Sequence, residues 1–273
     1  MPDILRQPFT FSQSCLQDYA DCPRRFRLRY VDQLTWPAIE SEPVAENERR
    51  QQEGQIFHRL VQQHLLGLPT ENLARLANTP NLARWWKNYT ISDLGLSGYT
   101  TFTESALSAP LGAYRLLAKY DLIALGENKA TIIDWKTYAR RPRDEWMAAH
   151  WQTRIYRSLL AAAGNNLNGG QPIGPEQIEM MYWYADSPSE PARFKYTAAQ
   201  FKRDWSAIEK VAKEISSAQE FPMTEDEKMC RFCVYRSYCD RGKQAGAMDE
   251  AEAEMESEAA FDVNFEQIGE IEF

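Results

Sequence analysis

Asp121-Leu-Ile-Ala-Leu-Gly-Glu-Asn-Lys-Ala-Thr-Ile-Ile-Asp134-Trp135-Lys136 is the stretch on which the fold turns. Residues 116–125 and 131–135 are rich in strand formers, and Gly126-Glu127-Asn128 between them is turn chemistry. Folded as a hairpin centred on Glu127 and Asn128, the chain places Asp121 directly opposite Asp134. Side chains alternate along a strand, so Lys136 shares the face of Asp134. Two carboxylates and an ammonium then converge on one patch. Like charges facing each other destabilise a sheet, and a divalent cation neutralises such a pair. Oxygen-rich clusters of this kind suit magnesium or manganese. The plainer alternative is a solvated hairpin with ordinary surface charges, because Asp-x-Lys is a short pattern.

At 273 residues the chain is long enough for one well-cored domain with an appendage. No run of about 18 apolar residues is present, so no membrane span is expected. The first residues, Met1-Pro2-Asp3-Ile4-Leu5-Arg6, lack the apolar core of a signal peptide, which points to a cytosolic (cytoplasmic) protein. Five cysteines there are not expected to form disulfides. The net charge of −8 misleads, because residues 249–273 hold ten acidic side chains and no Lys or Arg. Residues 1–248 carry 31 basic and 29 acidic groups. The expected division is a domain over residues 1–245 and an acidic, disordered tail over 246–273. Basic clusters lie at Arg24, Arg25, Arg27 and Arg29, at Arg140, Arg141 and Arg143, and at Lys228, Arg231, Arg236, Arg241 and Lys243. Three such clusters beside the candidate motifs fit a polyanionic substrate.

Along the chain, residues 12–30 read as a helix that Pro23 can break. Residues 35–50 read as a loop, 53–66 as a helix, and 70–95 as interrupted helix. A strand-rich centre spans about 99–135. Helix follows over 146–163, strand over 179–184, and a long amphipathic helix over 197–218. This order suggests α/β or mixed α+β architecture with a central mixed sheet flanked by helices.

Cys230-x2-Cys233-x5-Cys239 puts three thiols within ten residues, a good metal spacing in a reducing compartment. A fourth ligand must come from Cys15 or Cys22, and Cys22, beside a basic segment, is the better choice. Four thiolates suit zinc or an iron–sulfur cluster, and spacing does not separate them. Either would staple the two ends of the domain. His58 sits on a partly apolar helix, where a lone histidine is more often packed than ligating. Gln152 and Tyr156 share a helix face and could point a polar pair at a phosphate or at Lys136. Glu104 could serve as an outer-shell carboxylate, although solvent exposure is the simpler reading.

Together these residues resemble the PD-(D/E)XK nuclease superfamily, in its RecB-like branch with an iron–sulfur cluster, which includes AddB-type nuclease domains and CRISPR-adaptation exonucleases. Ser14-Cys15-Leu16-Gln17-Asp18-Tyr19-Ala20-Asp21-Cys22-Pro23-Arg24-Arg25-Phe26 looks like the opening helix and first cluster cysteine. Glu53-Gly54-x-x-x-His58 looks like the helix that brings a histidine to the metal. Asp121, Ile133-Asp134-Trp135-Lys136-Thr137 and Gln152-x-x-x-Tyr156 look like the catalytic motifs, and Cys230, Cys233 and Cys239 like the closing triplet. Ala118 stands where the family usually has Gly, and the acidic tail lies outside the pattern. The resemblance implies a nuclease core in which His58, Asp121, Asp134 and the backbone carbonyl of Trp135 hold Mg²⁺ or Mn²⁺. Lys136, Asp134, Asp121, Gln152 and Tyr156 would form the catalytic set, and Cys22, Cys230, Cys233 and Cys239 would hold a [4Fe-4S] cluster. Arg24, Arg25, Arg140 and Arg141 would contact DNA. The implied activity is metal-dependent hydrolysis of DNA, as an exonuclease on single strands or duplex ends in repair, recombination or defence, with a helicase or another repair protein as partner. The alternative from a different class is a non-catalytic, cluster-stabilised DNA-binding subunit.

Overall fold

The computed structural model describes residues 4–5, 8–35, 42–138, 140–230 and 233–242. The acidic tail lies outside them. A six-stranded mixed sheet runs β1 (Thr10–Phe11), β3 (Tyr114–Leu125), β4 (Ala130–Lys136), β5 (Ile178–Tyr184) and β6 (Ala192–Lys195), with β2 (Thr100–Leu111) on the remaining side of β3. The mixed α/β class read from the sequence is what the chain adopts. Helices α1 (Gln13–Asp21), α2 (Pro23–Phe26), α7 (Trp151–Ala163) and α8 (Ala198–Ser217) cover one face. Helices α3 (Glu42–Leu65), α4 (Thr70–Ala74) and α5 (Pro80–Ile91) cover the other. Each face has its own apolar core. Leu116, Tyr120, Ile132, Ile155, Leu159 and Met180 fill the first, and Phe57, Trp85, Leu122, Ile133, Trp135 and Trp183 the second.

The hairpin register is the one expected from the turn as far as Leu122 and Ile133, but Asp121 and Asp134 are not a ladder pair. Leu122 pairs with Ile133, Ile123 with Ile132, Ala124 with Thr131 and Leu125 with Ala130. Gly126 N donates to Lys129 O at 2.8 Å to close the turn. The β3–β4 ladder covers these four pairs, and nearer the start of β3 its same edge pairs with β1 at Arg115 and Leu116. Between these two contacts β3 and β4 diverge, and the site occupies the opening.

The pleat slips by one residue at this point. Leu116, Ala118 and Tyr120 face the first core, Leu122 faces the second, and Ile123 and Leu125 return to the first. Opposite Asp121 on β2, Glu104 adopts a left-handed backbone (φ 51°), a conformation uncommon outside glycine. Continued without the slip, the hairpin register would set Lys119 opposite Lys136, and the slip keeps the two apart. Lys119 pairs with Glu104, while Lys136 turns inward and is 1% exposed.

Two expected element boundaries differ. Residues 42–50, read as loop, already belong to α3, whose Pro43 sits in the first turn, where a missing N–H costs nothing. The helix expected over 146–163 is two helices, α6 (Asp144–Ala149) and α7, because His150 is extended (ψ 145°).

Candidate active site

The polar cluster is built from β4 outward. Asp134 and Lys136 project from β4 toward α7, and their carboxylate Oδ2 and ammonium lie 2.8 Å apart. Gln152, at the start of α7, bridges them. Its Nε2 donates to Asp134 Oδ1 at 2.7 Å, and its Oε1 accepts from Lys136 Nζ at 3.0 Å. Only one orientation of the amide satisfies both partners. All three side chains are buried, so each depends on the others for its hydrogen bonds. Lys136 Nζ also sits 5.2 Å from the Tyr182 ring centroid and 5.6 Å from that of Tyr138, where aromatic faces favour a cation. The Tyr182 hydroxyl reaches Gln152 Oε1 at 3.3 Å and Thr153 Oγ1 at 2.7 Å, which braces the amide. Tyr138 and Tyr182 were not foreseen from the sequence. The alternation Met180, Tyr182, Tyr184 on β5 was the available signal.

Asp121 completes the site from β3. Its Oδ2 accepts from Trp135 N at 2.9 Å, taking up the amide between Asp134 and Lys136 on β4. Its Oδ1 lies 3.2 Å from His58 Nδ1. Burial alone would raise the Asp121 pKa, but His58, the Trp135 amide and Lys136 outweigh it and hold the carboxyl below its ordinary value. The lone histidine of α3 is thus joined to the site, and Gly54 one turn earlier explains how. A Cβ there would stand 2.9 Å from Thr137 Oγ1, so glycine lets α3 approach the end of β4. Arg50, one further turn back, donates to Thr137 O at 3.0 and 2.7 Å and pairs with Asp186 at 3.0 Å, clamping helix to strand. His150 lies near Lys136, and burial followed by that neighbouring charge lowers its pKa to about 3.

Several expected roles change. Tyr156 is 4% exposed, and its hydroxyl donates to Lys119 O at 2.6 Å. It satisfies a carbonyl of β3 where β4 has moved away, and so supports the strand. Arg25, expected to contact DNA, is buried against Asp18 at 2.8 Å and against Asp21. Arg29 joins Asp18 at 2.7 Å and Arg27 pairs with Asp32, so this cluster is largely an ion-pair network of the opening helices. Arg141 is spread over the Tyr184 ring, bonded to Glu190 O and paired with Asp144. Arg24 is half-buried, and Arg140 is exposed. Glu104 is not simply solvated, because it binds Lys119 beside the site.

The donor types at His58, Asp121 and Asp134 suit an oxygen-favouring cation. Among the described residues, however, no three His, Cys, Asp or Glu side chains are arranged as ligands of a single metal ion. Asp134 is engaged by Lys136 and Gln152 instead. At the far end of the domain, Cys22, Cys230, Cys233 and Cys239 line one pocket with Arg25, Arg236 and Arg241. Cys22 is close enough to raise the thiol pKa of each of the other three, after burial, which is the larger cause. Cys15 is buried elsewhere, in the first core.

A family model for the PD-(D/E)XK nuclease superfamily matches residues 10–240. The chain belongs to this superfamily. No curated protein matches it. Two solved structures resemble it over most of their length. The crystal structure of SSO0001 is 14% identical, covers 86% of this chain and 87% of its own, and has a TM-score of 0.41. A candidate exonuclease from Eubacterium rectale is 8% identical, with 79% and 84% coverage and a TM-score of 0.48. No described helix is long and apolar enough to cross a membrane.

Proposed function

We propose that this nuclease-family protein is a metal-dependent deoxyribonuclease that acts as an exonuclease on single-stranded DNA or duplex ends. The observation that carries the reading is the closed Asp134–Lys136–Gln152 group set beside Asp121 and His58 at the split between β3 and β4. Mg²⁺ or Mn²⁺, held by His58, Asp121, Asp134 and the carbonyl of Trp135, would activate water and offset charge on the phosphoryl oxygens.

The remaining work falls to the chain itself. Lys136, a buried ammonium, directs a positive charge into the site, where it favours the charge that builds on the phosphate. Gln152 holds that ammonium in place and keeps Asp134 from rotating. His58 and the Trp135 amide hold Asp121 ionised and oriented. Phosphodiester cleavage asks for positioning more than for further chemistry.

The four cysteines that line one pocket would supply the donors of a four-thiolate site, and the three arginines beside them would balance its negative charge. We assign them to an iron–sulfur cluster that ties residue 22 to residues 230–239 and contributes folding free energy. Anaerobically purified protein should then contain iron and acid-labile sulfide, which Cys233→Ala should lose.

The test of activity is cleavage of end-labelled single-stranded and duplex DNA with Mn²⁺, Mg²⁺ or EDTA, beside Asp134→Ala and Lys136→Ala. Metal-dependent cleavage absent from both variants is expected. Unchanged cleavage by Asp134→Ala would remove the assignment. DNA binding without cleavage by the wild type would favour a binding subunit.

A further inference from the structure

A second concave surface lies where α6, α7, β6 and α8 meet. It encloses about 510 Å³ and is lined by Arg154, Arg157, Arg193, Lys195 and Arg203, with Asp204 as its acid. Asp204 is engaged by Arg154 at 2.9 Å and, more loosely, by Arg157 at 3.9 Å, while Arg193 pairs with Glu179. Lys195 and Arg203 are exposed and make no ion pair among the described residues. Five cations against two carboxylates leave a net excess of three positive charges around one depression. Clustered unpaired cations repel one another and are stabilised by an anion that spans them.

The chain that walls the depression leads on toward the nuclease site. Its wall includes Ala148 and Ala149, which run directly into His150, the histidine that feels the charge of Lys136. Aromatic rings lie beside this path. Trp146 is 37% exposed and packs against His150 at 4.3 Å with its ring tilted by 36°, and Arg154 lies 4.4 Å from the ring centroid of the buried Trp151. Cations that follow a backbone, beside an exposed ring such as Trp146 on which an unpaired base can stack, are the features of single-strand recognition.

We propose that this groove holds the phosphodiester backbone of a single DNA strand several nucleotides away from the bond that is cut, with Trp146 receiving a base between the two sites. The inference rests on the nuclease reading above. It predicts a length-dependent contact, because a strand too short to reach the groove gains nothing from it.

The test is binding of fluorescent oligothymidylates of 4 and 20 nucleotides, and of a blunt 20-base-pair duplex, by full-length protein carrying Asp134→Asn to prevent cleavage. Lys195→Glu/Arg203→Glu is compared with Lys87→Glu/Arg75→Glu, a charge-matched control on the other face. The groove variant should weaken 20-mer binding at least tenfold and make the salt slope shallower by about two. It should leave 4-mer binding and the blunt duplex unchanged, and Trp146→Ala should weaken the 20-mer further. Equal losses from groove and control variants, or equal losses for 4-mer and 20-mer, would overturn the groove. A loss on the duplex as large as on the single strand would overturn the single-strand assignment. No binding of any DNA by the parent protein would instead refute the nuclease reading.

Discussion

Gly54→Ala isolates the approach of α3 to the end of β4. The added Cβ would lie 2.9 Å from Thr137 Oγ1, where ordinary contact begins at 3.4 Å. About half an ångström must be found. Arg50 ties the same helix to Thr137 O, so α3 cannot slide freely along the strand. The His58–Asp121 contact is 3.2 Å, and a further half-ångström takes it past useful hydrogen-bond length. Overpacking costs about 1–3 kcal/mol, and the better helix propensity of alanine returns about 1 kcal/mol. The net stability loss should be about 0–2 kcal/mol. A misplacement of about 1 Å at an active site costs about 100-fold, so half of that should cost roughly tenfold in rate. Thr137→Ala removes Oγ1 and leaves the nearest Thr137 atom, its Cβ, at 3.9 Å. The double variant should recover the rate and exceed Thr137→Ala in stability by about 1 kcal/mol. Manganese-dependent cleavage and thermal unfolding of the four proteins read both quantities. Full activity in Gly54→Ala, or no recovery in the double variant, would refute the reasoning.

Three other perturbations separate support from chemistry. Tyr156→Phe strands the Lys119 carbonyl, so stability should fall by about 1–3 kcal/mol in urea melts while the rate at saturating substrate holds. A hundredfold slower rate at unchanged stability would instead place Tyr156 in the reaction. Asp18→Ala leaves Arg25 buried beside one remaining carboxylate and removes a partner of Arg29 and Tyr30, so about 3–5 kcal/mol should be lost. A loss below 1 kcal/mol would show that the network adds little. His150 has a folded pKa of about 3 against an ordinary 6.5, so below pH 6.5 the unfolded chain takes up a proton that the folded one refuses. Its contribution to stability therefore falls as pH drops from about 6.5 toward 3, by at most about 1.4 kcal/mol per pH unit. His150→Gln should flatten that segment of the pH–stability curve, and parallel curves for the two proteins would count against it.

Much of the site was legible because its residues lie on regular elements. The turn at Glu127-Asn128 set the register, and alternation then placed Asp134 and Lys136 together. The helical spacing of Gln152 and Tyr156 put both on the buried face of α7, yet spacing could not say that one meets a carboxylate and the other a backbone carbonyl. The pleat slip at Asp121 was invisible, since no glycine or proline marks it and Glu104 supplies the left-handed turn. Strands β1 and β6, two and four residues long, carry no periodicity to read. The arginines of residues 24–29 looked like a nucleic-acid surface because composition counts charges but not their partners. Asp18, Asp21 and Asp32 turn most of them inward or pair them.

The segment that returns to the opening helices bears on how the chain is made. Arg24 N donates to Pro222 O, Thr224 N to Cys22 Sγ, and the Tyr235 hydroxyl to Leu34 O, contacts that close loops of about two hundred residues. Contacts so distant form late, after the intervening chain has ordered. During synthesis the first helices leave the ribosome long before their partner does. The N-terminal corner must wait, unfinished, until the last tenth of the domain emerges, and a protein truncated before residue 222 would hold its sheet but never lock that corner.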